Sequence, residues 1–166
     1  MTHFNKLVIL FFCFSCWTIS SAFGQEEILQ VSIAEGTING IKPTESIEKI
    51  KEAFPFFTGE TEEHQGFNCG GGVFFLNHDF YAYTGNDYWE IRDEFKGSFD
   101  MDVLGKNIKD VLKIMGKAKK TFTNEYGIKY YYFKTKYGCC VLNVKNDYVK
   151  MADLYWKKIK DVKLCY

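Results

Sequence analysis

Hydrophobic residues change their spacing several times along the chain, and each change predicts a different element. Ile47, Ile50 and Phe54 recur at intervals of three and four residues, the spacing of one helix face. Thr44 or Ser46 could cap this helix, since a hydroxyl there accepts a hydrogen bond from the first turn. The proline that follows Phe54 would end it. The pattern therefore predicts a short helix here.

A second helical stripe lies in the C-terminal half. Its apolar positions are Ile108, Val111, Leu112 and Met115. Asn107 is a favourable N-cap for this helix, and Gly116 is a favourable residue to end it. Shifting the first stripe by 61 residues places Ile47 on Ile108, which suggests a weak internal repeat.

After each helical stripe the apolar residues form short runs separated by polar turns, which predicts strands. The runs cover 73–76, 80–84 and 88–92 after the first helix, and 128–133, 139–144 and 148–155 after the second. Residues 25–36 resemble an entry strand or loop. We therefore predict an α+β fold of two helix-plus-antiparallel-meander units, 25–103 and 104–166, packed in one compact domain.

The second unit resembles a known type of repeat. The similarity is carried by Leu104 to Val111, by Met115 to Lys117 at the helix end, and by Tyr130 to Phe133. These stretches resemble the tandem β-lactamase-inhibitor-protein-like fold and small outer-membrane assembly lipoproteins. The resemblance spans roughly residues 38–156, and the first unit departs from it at Phe54-Pro55. It implies a non-enzymatic binding or inhibitor-type protein outside the cytoplasm, and no functional residue is carried over.

The N-terminus has the three parts of an export signal. Lys6 supplies the positive charge, Leu7 to Cys16 is an apolar run, and Ala22 and Gly24 are the small residues before a cleavage site. We expect residues 1–24 to be a signal peptide and the mature chain to be periplasmic or secreted. Lipid attachment at Cys16 is the alternative. No later apolar run has the length of a transmembrane span, so none is predicted in the mature chain.

Charge is divided unequally between the two predicted units. Residues 25–103 contain 16 acidic and 5 basic residues, a balance of −11, whereas 104–166 contain 5 acidic and 15 basic residues, a balance of +10. The units could neutralise each other where they meet, or the basic face could bind an anionic partner. Lys109, Lys113 and Lys117 would then contact an anionic envelope polymer or an acidic protein. Nucleic acid is a poor partner for an exported, nearly neutral chain.

Aromatic residues are the second candidate surface. On alternating strands about half of them should face the core, and the rest would suit a protein or glycan contact. Ordinary packing between the units is the competing interpretation. The candidates for partner binding are Tyr81, Tyr83, Trp89, Tyr131 and Trp156.

Four cysteines follow the signal peptide, and an even number in an oxidising compartment favours disulfides. Cys139 and Cys140 are adjacent, so on a strand they point to opposite faces and are poor partners for each other. We predict a bridge from Cys69 to Cys139 or Cys140 in preference to Cys165. The alternative is that one or more of the four cysteines stay free and are buried as small hydrophobic residues.

Few residues suggest chemistry. Cys69 precedes Gly70-Gly71-Gly72 and could be a nucleophile beside backbone donors, but His64 and His78 are poorly placed as its base. Glu62-Glu63-His64 and His78-Asp79 have no recognised spacing of metal ligands. No catalytic residue, metal or cofactor is therefore predicted.

These observations favour an exported, non-enzymatic protein that binds, and in one version inhibits, another extracytoplasmic protein. An envelope structural or assembly factor is the alternative. A small cysteine hydrolase built on Cys69 is the third hypothesis.

Overall fold

Most of the regular secondary structure in the described chain is β-structure. The computed structural model describes residues 28–62 and 70–164. Its strands are β1 Leu29–Ser32, β2 Thr37–Ile38, β3 Gly59–Thr61, β4 Gly72–Phe75, β5 Phe80–Tyr83, β6 Tyr88–Arg92, β7 Gly97–Phe99, β8 Lys120–Thr123, β9 Lys129–Lys134, β10 Cys139–Lys145 and β11 Tyr148–Tyr155, and its helices are α1 Ile47–Ala53 and α2 Ile108–Met115. No helix in 28–62 or 70–164 is long and apolar enough to cross a membrane.

Eight of the strands form one continuous antiparallel sheet in the order β3-β4-β5-β6-β11-β10-β9-β8. The two halves of the chain meet inside it, because β6 pairs with β11 and places Trp89 opposite Leu154. Strands β2, β1 and β7 form a separate small sheet in which β1 and β7 are parallel.

The predicted α+β fold of two helix-plus-antiparallel-meander units is therefore wrong. The described strands of 25–103 and of 104–166 share one sheet and one core. Local patterns could not reveal the β6–β11 pairing, since it joins residues that are far apart in sequence. They also missed the edge strand β8, where all four residues are exposed and no alternation marks the strand.

Both helices begin at capping residues that the sequence predicts, Ser46 and Asn107. The side chain of Ser46 accepts a hydrogen bond from the backbone N–H of Lys49 at 3.3 Å, and that of Asn107 accepts one from Lys109 at 3.0 Å. Gly116 follows α2 with φ of 77°, and its N–H donates to the carbonyl of Leu112. These local predictions are confirmed.

The core lies between one face of the large sheet, which we call the inner face, and the two helices with the small sheet. Phe54, directly after α1, is 1 % exposed and is at the centre of an aromatic cluster. Its ring makes edge contacts with Phe56, Phe75, Phe80 and Trp89, with centroids 5.6–6.1 Å apart. Residues from both halves of the chain contribute to this one core.

Ion pairs between exposed side chains connect the acidic first half to the basic second half. Among the described residues, Lys136 lies 2.8 Å from Glu35, and Lys150 lies 2.8 Å from Asp93. Each exposed pair contributes only about 0–1 kcal/mol. These ion pairs agree with the interpretation in which the two halves neutralise each other where they meet.

Gly138 lies directly against the backbone of β11. A Cβ atom on Gly138, just before β10, would overlap the carbonyl oxygen of Tyr155 at the end of β11. We expect Gly138→Ala to lower the free energy of unfolding by about 1–3 kcal/mol, because two paired strands must separate. Gly59→Ala is the control, since its Cβ would meet only the Phe74 ring at an ordinary 3.7 Å. Equal urea midpoints for the two variants would contradict this prediction.

Candidate functional site

The face of the large sheet opposite the helices, which we call the outer face, has carboxyl and amide side chains at its centre. The β6–β11 register places Glu90 directly opposite Asp153. Asn143 on β10 lies opposite Met151 of β11. Met151 is two residues before Asp153, so Asn143, Met151 and Asp153 are on the same face of the sheet. All three polar residues are buried, with 4–7 % of their surface exposed. We call Glu90, Asp153 and Asn143 the polar cluster.

Hydrogen bonding within the polar cluster is incomplete. Asn143 donates from Nδ2 to Oδ2 of Asp153 at 3.2 Å. The other oxygen of each side chain, Oδ1 of Asp153 and Oδ1 of Asn143, has no hydrogen-bond partner among the described residues. Burial raises the pKa of Asp153 well above its usual value, and the nearby Glu90 adds to the effect. The neutral form of Asp153 is therefore favoured in the folded protein.

Glu90 is better compensated than Asp153. The guanidinium of Arg92 donates to its Oε1 from Nε at 2.7 Å and approaches it through Nη2 at 2.6 Å. Burial raises the pKa of Glu90, although Arg92 opposes that shift. The same guanidinium lies 4.3 Å from the ring centroid of Tyr81, a cation–π contact. Arg92 thus links the polar cluster to the surrounding aromatic rings.

A ladder of four tyrosine rings runs along the outer face beside the polar cluster. Tyr81 and Tyr83 stack at 6.2 Å, Tyr83 and Tyr88 at 4.7 Å, and Tyr88 and Tyr155 at 4.5 Å between centroids. Phe74 contacts the first two rings from β4. Burial raises the pKa of Tyr83 to about 12, so its phenol is neutral at physiological pH. The hydroxyl of Tyr88 is buried without a hydrogen-bond partner in 28–62 and 70–164.

The remainder of the outer face, over β9 to β11, packs against apolar side chains of the C-terminal segment. These side chains are Ile159, Val162 and Leu164. Cys139 lies in this cluster, whereas Cys140 lies in the inner core, so the two point to opposite faces as predicted.

Cys139 and Cys140 are both free thiols among the described residues. Cys69 lies outside those residues, so the bridge from Cys69 to either of them stays a prediction. Burial raises the pKa of Cys139 to about 12 and that of Cys140 well above its usual value. Neither is a ready nucleophile, because the thiolate is the reactive form. Cys69 and Cys165 lie outside the described residues, as do the signal peptide, Cys16 and His64.

The structure separates the aromatic residues that the sequence grouped together. Tyr81 and Tyr83 belong to the ladder on the outer face. Trp89 is 0 % exposed in the core, where its indole N–H donates to the carbonyl of Ile41 at 3.3 Å. Tyr131 packs partly against the same core. Trp156 is half-buried and its indole donates to the carbonyl of Gly36 at 2.8 Å, which favours a structural role.

The predicted lysines lie on the other side of the molecule. Lys109 and Lys113 are exposed on α2, the helix that packs against the inner face, and Lys117 is exposed just beyond its end. The ammonium of Lys113 already pairs with Asp110 at 2.7 Å. This pairing reduces the net charge that the helix offers to an anionic polymer.

Sequence reasoning missed Glu90, Arg92, Asn143 and Asp153. The available signal was a polar residue inside an otherwise apolar strand, as at Asp153 in β11. In β6, alternation places Tyr88, Glu90 and Arg92 on one face. These side chains lie beside Asp153 because β6 pairs with β11, and no local sequence pattern indicates that pairing.

Of the weak metal candidates, Glu63 and His64 lie outside the described residues, and His78 and Asp79 make other contacts. The ring of His78 packs against Phe56, with centroids 4.5 Å apart, and the Asp79 carboxylate accepts a hydrogen bond from the N–H of Glu94. In the part of the chain that the structure describes, no group of three or more His, Cys, Asp or Glu residues could hold a metal ion.

Comparison of the chain with protein-family models, curated proteins and solved structures finds no match. The resemblance to the β-lactamase-inhibitor-protein-like repeat therefore stays a prediction.

Proposed function

We propose that this chain is an exported, non-enzymatic binding protein that holds another extracytoplasmic protein against the outer face of its large sheet. The observation that carries the proposal is the tyrosine ladder with Arg92 stacked on it. Tyrosine and arginine are enriched among the residues that dominate binding energy at protein interfaces. The accessible part of this surface consists of Phe74 and Tyr83, which are half-buried, and Arg92, whose side chain is 44 % exposed.

The ladder supports binding because its rings are already ordered. Tyr83 is stacked on Tyr88, which is itself stacked on Tyr155, so little side-chain freedom remains to be lost when a partner binds. The Arg92 charge is balanced by Glu90. A balanced, aromatic surface suits a protein partner better than a highly charged polymer. An envelope structural or assembly role remains the alternative function and would use the same surface.

Site-specific photo-crosslinking in the native envelope tests this proposal. A benzophenone side chain in place of Phe74 keeps an aromatic ring at the edge of the ladder. The matched control places it at Ile114, which is 57 % exposed on α2 at the opposite layer. We expect a discrete adduct from position 74, no such adduct from position 114, and loss of the first when Tyr83→Ala is added. A discrete adduct from position 114 alone would move the interface to the helix layer and refute the proposal.

A further inference from the structure

Within 28–62 and 70–164, the polar cluster contains two side-chain oxygens without a hydrogen-bond partner. Asp153 and Asn143 each present an Oδ1 atom with no partner among the described residues, and each residue is only 4 % exposed. Arg92 is directed to Oε1 of Glu90. Leaving a buried acceptor unpaired costs about 1–3 kcal/mol, so two adjacent ones call for a donor.

The charge count points in the same direction. With Asp153 protonated, Arg92 balances the charge of Glu90. When Asp153 ionises, the cluster carries one further negative charge, so a ligand for the ionised form should bring one positive charge and several hydrogen-bond donors. A primary ammonium group has one charge and three N–H donors, and it has no acceptor of its own.

The surroundings suit an ammonium group better than a metal ion. Calcium takes six to eight oxygen ligands, whereas only three side chains of the polar cluster offer oxygens. The rings of Tyr83 and Tyr88 lie beside the cluster, and their edges provide an apolar surface for an alkyl stem. Met151 is half-buried between Arg92 and Asn143 in the register, so the cluster is close to the accessible surface there.

We propose that Asp153, Asn143 and Glu90 form a binding site for a primary ammonium group, supplied by a lysine side chain of the protein partner. This inference rests on the proposed function, because the lysine belongs to the protein that the outer face holds. Asp153 and Asn143 accept two of its N–H donors, and Glu90 supplies the third acceptor. The stem of the lysine then lies along the tyrosine ladder.

Calorimetric titration of the full mature protein with pentylammonium chloride tests the site directly. We expect saturable binding at pH 8 that Asp153→Asn weakens about tenfold to a hundredfold, as for the loss of a charge-assisted hydrogen bond. Glu90→Gln should weaken it as well. Asp161→Asn, an exposed change near the C-terminus, should leave it unchanged. 1-Pentanol, which has the same chain without the charge, should not bind.

A second measurement distinguishes this site from a general attraction to acidic surfaces. The ligand requires ionised Asp153, whereas burial and the nearby Glu90 raise the pKa of this carboxyl in the free protein, against the opposing effects of Asn143 and Arg92. The other titratable groups that face it are Tyr83, Tyr88, Tyr155 and Cys139. Binding should therefore release protons, which titrations in buffers of different ionisation enthalpy reveal. The Asp153→Asn variant should release fewer protons when it binds the amine.

Three results would overturn the inference: no saturable binding of pentylammonium, equal affinity in Asp153→Asn, or tighter binding of calcium chloride at the same residues. Failure here is separable from failure of the proposed function. If the position-74 crosslink forms but the protein does not bind pentylammonium, the proposed interface stands and only the lysine contact is ruled out.

Discussion

Replacing Asp153 by asparagine is expected to make the protein more stable at pH 8 and to flatten the pH dependence of its stability. Burial raises the pKa of Asp153 in the folded state, whereas in the unfolded chain it is near the usual value of about 3.9. As the pH rises above that value, the unfolded state ionises and the folded state does not. The free energy of unfolding then falls by up to about 1.4 kcal/mol per pH unit until the folded pKa is reached.

Urea unfolding at intervals from pH 4.5 to 8 measures this slope. Asparagine has nearly the same shape and cannot ionise, so the variant loses the part of the slope that Asp153 contributes. Burial also raises the pKa of Glu90, so the variant keeps the smaller part of the slope that Glu90 contributes. The control is Asp161→Asn, because Asp161 is exposed and its replacement should leave the slope as it is. A wild-type stability that is constant from pH 4.5 to 8 would show that Asp153 is ionised in the folded state.

The second large effect is expected at Phe54. Phe54→Ala should lower the free energy of unfolding by about 3–5 kcal/mol, the range for truncating a buried phenylalanine. The ring is 1 % exposed and contacts four other aromatic rings, so its removal leaves a cavity where α1 meets the sheet. A shift of the urea midpoint with an unchanged m-value would report this loss as stability alone.

Phe57 provides a matched control for Phe54. It lies three residues further along the chain, is 37 % exposed, and contacts the ammonium of Lys51. Phe57→Ala should change the free energy of unfolding by less than about 1 kcal/mol, as is usual for surface substitutions. If both variants lost similar stability, the aromatic cluster around Phe54 would not be the centre of the core.

The candidate site could be predicted only in part. Tyr81 and Tyr83 were identified from aromatic alternation, and both lie in the ladder. Trp89 obeys the same alternation, but it is on the opposite face of β6 from Glu90 and is buried. Alternation divides residues into two faces, yet it does not say which face meets the helices. The polar cluster escaped prediction because it takes Glu90 from β6, Asp153 from β11 and Asn143 from β10, and these strands are adjacent only in the folded sheet.

The sequence by itself determined the local elements. The stripes and caps at Ser46 and Asn107 defined the two helices, and the adjacency of Cys139 and Cys140 placed them on opposite faces, because these features depend on neighbouring residues. Only the tertiary structure decided that the strands join at β6 and β11 into one sheet. That pairing lies between distant segments, and its hydrogen bonds leave no periodic signal in either strand. The same long-range pairing buries Asp153 beside Glu90, and so it creates the site from which both proposals follow.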